Sequence, residues 1–124
     1  MKQNMVAWFE IPVTNMERAK TFYEVVFNIK ISVQDFGGVQ MGWFPPAEDA
    51  PGAMGSLIQN KAYVPSEEGT LVYFGSENAQ NELNRIEEAG GKIKQGKTMI
   101  SPEHGYMAVF IDTEGNRVAL YSKE

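Results

Sequence analysis

The stretch "WFEIPVTNMERAKTFYEVVF", residues 8 to 27, decides the fold because its hydrophobic period changes part-way. Up to Val13 the apolar residues alternate. Phe9, Ile11 and Val13 share one face and Trp8, Glu10 and Pro12 the other, as in a strand buried on one side. From Met16 the spacing becomes three and four residues, through Ala19, Phe22 or Tyr23, Val26 and Phe27. That spacing predicts an amphipathic helix whose apolar stripe packs on the Phe9/Ile11/Val13 face. Between the two lies T-x-x-E, Thr14 to Glu17, the form of a capping box in which each side chain satisfies a backbone N–H.

A looser copy follows as "LVYFGSENAQNELNRIEEAG", residues 71 to 90. Here Val72 and Phe74 are expected to face inward and Leu71 and Tyr73 outward. The helix is expected from Asn78 to Ala89, with Ala79, Leu83 and Ile86 inward and Gly90-Gly91 as its stop signal. After the first copy, "IKISVQDF" and "VQMGWFP" read as strands joined at Gly37-Gly38, and "SLIQN" as a closing strand beyond the loop "PPAEDAPGAMG". After the second, "GKIKQG", "YMAVFI" and "RVALYS" read as strands, the last two joined by "DTEGN". The expected fold is α+β: one domain over residues 1–124, made of two tandem β-α-β-β-β modules at about 1–62 and about 69–124, forming an open barrel around a concave pocket. A ferredoxin-like sandwich would have one strand fewer in each half.

Composition narrows the partner. No apolar run approaches the roughly 18 residues of a membrane helix. The N-terminus has Lys2, but Glu10 interrupts the apolar stretch after it and no small-residue cleavage site follows, so no secretory signal is expected. A net charge of −5 without a Lys/Arg cluster argues against nucleic acid. The absence of cysteine excludes disulfides and thiolate metal sites and fits a cytoplasmic protein. Neither a G-x-S-x-G elbow nor a glycine-rich phosphate loop is present. The expected partner is a small organic molecule, with neither membrane nor nucleic acid involved.

The ordered set "VTNMERAKTFYEVVF", "NELNRIEEAGGK" and "FIDTEGNRVALYS" resembles the vicinal oxygen chelate superfamily: glyoxalase I, bleomycin-resistance proteins and extradiol dioxygenases. The resemblance implies paired modules around a divalent metal that chelates the substrate, and a cavity completed by a second subunit, hence a homodimer. It implies metal ligands early in each module's first strand and within each closing strand. Those places are Trp8, Leu71, Ala119 and either Leu57 or Gln59. Trp, Leu and Ala offer a divalent ion no nitrogen or oxygen donor. No metal or other cofactor is therefore expected, and the resemblance points to a binding protein like the bleomycin-resistance branch.

The alternation of strand faces supplies a candidate ligand pocket: Trp8, Glu10, Leu71, Tyr73, Arg117, Ala119 and Tyr121, with Gln59 from the first module's closing strand. Trp43 and Tyr106 are candidate additions to its aromatic wall. Glu10, a carboxylate among apolar neighbours, is expected to anchor a ligand, to act as a catalytic base, or to pair with Arg117. The alternative reading is a metal-dependent glyoxalase-like lyase, with Glu10 as general base and a displaced ligand set of Glu10, Gln59 and the lone histidine, His104. A third is a protein with a filled pocket whose dimer surface is the functional one.

Overall fold

The elements run β1 (Trp8–Pro12), α1 (Met16–Phe27), β2 (Ser32–Phe36), β3 (Val39–Trp43), β4 (Met54–Gln59), β5 (Val72–Ser76), α2 (Ala79–Ile86), β6 (Lys92–Ser101), β7 (Gly105–Ile111) and β8 (Arg117–Ser122). The computed structural model describes residues 4–124, so Lys2 lies outside the described residues. The strands make two four-stranded sheets, β1-β4-β3-β2 and β5-β8-β7-β6. In each, the first strand runs parallel to the last and the remaining neighbours are antiparallel. The helix supplies the crossover that a parallel pair requires. These are the two expected β-α-β-β-β modules. Among the described residues no backbone ladder joins the sheets, so the barrel stays open along the β1 and β5 edges.

The helix starts differ from expectation in an informative way. Asn15, not Thr14, caps α1: its Oδ1 accepts from the Arg18 N–H at 3.0 Å. Glu17 is exposed and forms no box. Glu114, from the other module, takes the reciprocal role, accepting at Oε1 from the N–H groups of Thr14 and Asn15 at 2.9 Å each. A carboxylate on a rigid turn has less side-chain freedom to lose than one on an exposed helical turn, and the Arg18 guanidinium also donates to it. Helix α2 begins at its Asn78 cap and ends at Ile86, three residues short of the expected end. Beyond it, Gly91 touches the first module so closely that a Cβ would stand 2.7 Å from the Phe22 ring and 2.8 Å from the Ile111 carbonyl oxygen. Glycine there lets α1 sit against the second sheet.

The expected inward residues of β1 and β8 do face the core, although β4 and β8 bury neighbours on both faces. Ile11, Val13, Val118 and Leu120 are buried, and they join Phe22, Tyr23, Val26, Leu83, Ile86 and Phe110 in one cluster shared by both modules. Where the modules meet, Phe9, Tyr23, Phe27, Phe44 and Phe74 form an aromatic nest, with Phe27–Phe74 at 4.9 Å and Phe9–Phe74 at 5.7 Å between ring centroids. Such pairs contribute roughly 0.5–1.5 kcal/mol each beyond area burial. The turn "DTEGN" is the second tie. Asp112 accepts from the Tyr23 hydroxyl at 2.7 Å, and Asn116 Nδ2 donates to the Pro12 carbonyl at 2.7 Å. None of the helices of the described residues is long and apolar enough to cross a membrane.

Candidate functional site

Two helix caps fix the equivalence of the modules. The Met16 N–H donates to Gln59 Oε1 at 2.8 Å, and the Ala79 N–H donates to Ser122 Oγ at 3.0 Å. Gln59 therefore occupies the place of Ser122, and three residues earlier Ser56 occupies the place of Ala119. The parallel ladders agree: Glu10 lies opposite Ser56, and Tyr73 opposite Ala119. Since directly opposed residues share a face, the concave side of β4 carries Ser56 and Ile58. Leu57 is buried in the core beside Ile11, and Gln59 turns toward α1. The expected placement of Gln59 and Leu57 in the pocket is thus out by one residue, and one residue exchanges the faces. The interval between the helix starts Met16 and Ala79 is 63 residues, and the same interval carries Ala119 back to Ser56. That signal was present in the sequence.

A cavity of about 940 Å³ opens between the β1 and β5 edges. Trp8, Glu10, Leu71, Tyr73 and Arg117 all line it. Its far wall comes from the loop after β3, including Phe44, Pro45 and Pro51, which strand alternation does not locate. Trp8 is held edge-on by Trp43, with centroids 5.3 Å apart, and Tyr73 is half exposed. Gln59, Ala119 and Tyr121 are not among the lining residues. Ala119 and Tyr121 lie instead on the strand beside Tyr73 and Gly75, with Ala119 fully buried. Tyr106 is not part of this wall. It pairs with Ser122, on the face that caps α2, and Lys97 Nζ stands 4.4 Å above its ring.

The expected ion pair between Glu10 and Arg117 is not formed, and Glu10 is exposed. Arg117 Nη2 donates to the Gly69 carbonyl at 3.0 Å, while its Nε is buried without a partner. Ser56 Oγ is the other buried side-chain atom of the described residues that lacks one. The displaced metal set is not assembled. Gln59 is engaged with α1, and His104 stands exposed in the β6–β7 turn, its Nδ1 2.8 Å from Ser101 Oγ. Among the described residues, no three His, Cys, Asp or Glu side chains are grouped as a metal would need. The four positions at which the resemblance implies ligands hold Trp8, Ser56, Leu71 and Ala119. Together they offer one neutral hydroxyl, so these residues do not fit a divalent ion.

The sequence profile of the glyoxalase/bleomycin resistance protein/dioxygenase superfamily matches residues 5–120. The chain belongs to this superfamily. Among solved structures it is similar to glyoxalase I from Zea mays, at 18% identity and TM-score 0.71, over 94% of this chain and 45% of the maize chain. It is also similar to TnmS3, an antibiotic binding protein from a Streptomyces species, at 21% identity and TM-score 0.67, over 100% of this chain and 99% of that one. A third likeness is to a glyoxalase-related enzyme from Fulvimarina pelagi, at 12% identity and TM-score 0.72, over 98% and 88%. The chain spans less than half the length of the maize superfamily member. At these identities the likeness is one of fold. Comparison with curated proteins returned no match.

Proposed function

We propose that this member of the superfamily binds a small organic molecule without a metal ion, by enclosure and not by chemistry. The observation that carries the reading is the donor-poor set Trp8, Ser56, Leu71 and Ala119 beside a cavity of about 940 Å³. Ring faces and a few polar handles suit such a cavity to a flat organic ligand. Each ~100 Å² of apolar ligand surface withdrawn from water contributes about 2.5 kcal/mol. Trp8 and Tyr73 supply the ring faces and Glu10 an acceptor at the mouth.

We further propose a homodimer in the cytoplasm. Phe36, Trp43, Met54 and Tyr73 are exposed apolar side chains at strand positions of the open sheet faces, the kind of surface a second copy covers.

Elemental analysis after dialysis against nickel, zinc, manganese and iron(II), followed by desalting, tests the reading. No stoichiometric retention is expected. Retention of one metal equivalent, abolished by Glu10→Gln, would overturn the reading and revive the alternative of a metal-dependent lyase or related enzyme. A parallel titration follows tryptophan fluorescence against a library of aromatic small molecules. Quenching that Trp8→Phe removes supports the cavity.

A further inference from the structure

We propose that Arg117 is the anion anchor of this cavity, so that its ligand carries one carboxylate, sulfonate or comparable planar anionic group on an aromatic frame. This rests on the reading that the cavity takes a small organic molecule, and adds the ligand's charge and the residue that reads it.

A guanidinium is always charged and has five N–H donors in a fixed fork. In Arg117 one nitrogen, Nη2, is engaged by the Gly69 carbonyl at 3.0 Å, and Nε is cut off from solvent with no acceptor. Among the described residues no carboxylate pairs with it. The ion pairs of the described residues are Arg18–Glu114, Lys20–Glu24, Arg85–Glu82 and Lys94–Glu67. A partly buried cation without a counter-ion is costly, and an incoming anion relieves that cost. Glu10 and Glu68 line the same cavity but are exposed and stand outside ion-pair distance of Arg117. They disfavour a second negative charge and can accept from a hydroxyl or ammonium on the same ligand.

The cation is also held in place. The Arg117 N–H donates to the Ser66 carbonyl at 3.2 Å, and the adjoining Asn116 is fixed by the Pro12 carbonyl and the Ser66 N–H. An anchor fixed before binding loses little freedom when the ligand arrives. Arg117 leads into β8 beside Leu71 and the Tyr73–Ala119 pair, so an anionic group on Arg117 brings its attached ring over Tyr73.

Two fluorescent probes of nearly the same shape test this. Anilinonaphthalene sulfonate is anionic, and N-phenylnaphthylamine is its uncharged counterpart. The native protein is expected to hold the sulfonate about tenfold more tightly. Arg117→Met should remove that preference while leaving the amine's affinity as it was, and Arg117→Lys should keep part of it. If both probes bind and Arg117→Met leaves the preference intact, the anchor is overturned while the cavity reading stands. If the native protein binds neither probe, both fall. Where circular dichroism shows that Arg117→Met has not folded, the native protein decides through displacement of bound N-phenylnaphthylamine. Naphthalene carboxylate must then compete at lower concentration than naphthylmethylammonium, and the reverse order or no difference overturns the proposal.

Discussion

Glu114 accepts from the N–H groups of Thr14 and Asn15 and from the Arg18 guanidinium, across the junction between modules. Burial pushes its carboxyl up, but the bonds from Arg18, Asn15 and Thr14 outweigh burial and hold it at about 2, below its ordinary 4.5. A lowered carboxylate pKa stabilises the folded state fully above the ordinary value, and that contribution disappears as pH falls from 4.5 through about 2. Glu114→Gln should therefore lower stability near neutral pH by about 1–3 kcal/mol in urea denaturation. The difference from the native protein should close as the titration approaches pH 2. Tyr23 is the second residue of this kind. Its hydroxyl gives the buried Asp112 one of four hydrogen bonds, the others coming from the Asn116 side chain and the N–H groups of Glu114 and Asn116. Burial, and then the charge of Asp112, raise the Tyr23 hydroxyl well above its usual range. Tyr23→Phe should cost about 1–2 kcal/mol in thermal or chemical unfolding, since three donors remain. Affinity for N-phenylnaphthylamine should not change.

Among the elements, both helices and strands such as β1 were visible as periodicity, because each sets one face against a shared core; β2 is exposed along its length, and β6, expected over 91–96, runs on to Ser101. Where two faces differ less, the alternation was silent. Strand β4 reads "MGSLIQ", with four consecutive buried residues, so apolarity could not tell its sides apart. That is why Ser56 was missed and Gln59 misplaced. The helix caps are a better guide, because a cap has one position relative to its helix. Asn15→Ala removes the acceptor for Arg18 N–H and should cost about 1 kcal/mol. Gly55, on β4, is a sharper probe of the packing behind the cavity. A Cβ there would overlap the Phe9 ring, so the ring or the strand must move. Gly55→Ala should lower stability by about 1–3 kcal/mol and alter probe binding, since Gly55 and Phe9 both line the cavity.

For the molecule as a whole, the shared core makes each module dependent on the other. Phe22 of the first packs on Phe110 of the second, with centroids 6.0 Å apart, and Arg85 Nε donates to the Val26 carbonyl at 2.8 Å. Chains of residues 1–62 and 69–124 made separately should each lack cooperative unfolding by calorimetry. Mixed, they should recover it if the aromatic nest and the Asp112–Asn116 turn suffice without a covalent link. The modules were legible as a repeat because strand and helix recur in the same order. The cavity's outline was only partly legible, since its far wall comes from a loop without periodicity.

That loop is where the repeat is least faithful. Five residues, 112–116, join β7 to β8 and fasten onto the first module, whereas ten, 44–53, join β3 to β4 and border the cavity. Phe44 packs on Phe74, but no side-chain hydrogen bond ties residues 45–53 to the second module among the described residues. One copy of the connection is thus bound into the fold by cross-module hydrogen bonds, and the other is nearly free of them. Changes of length or composition at 45–53 would reshape the border of the cavity while the fastening at 112–116 keeps the two modules together, a division of labour between a wall and a clasp.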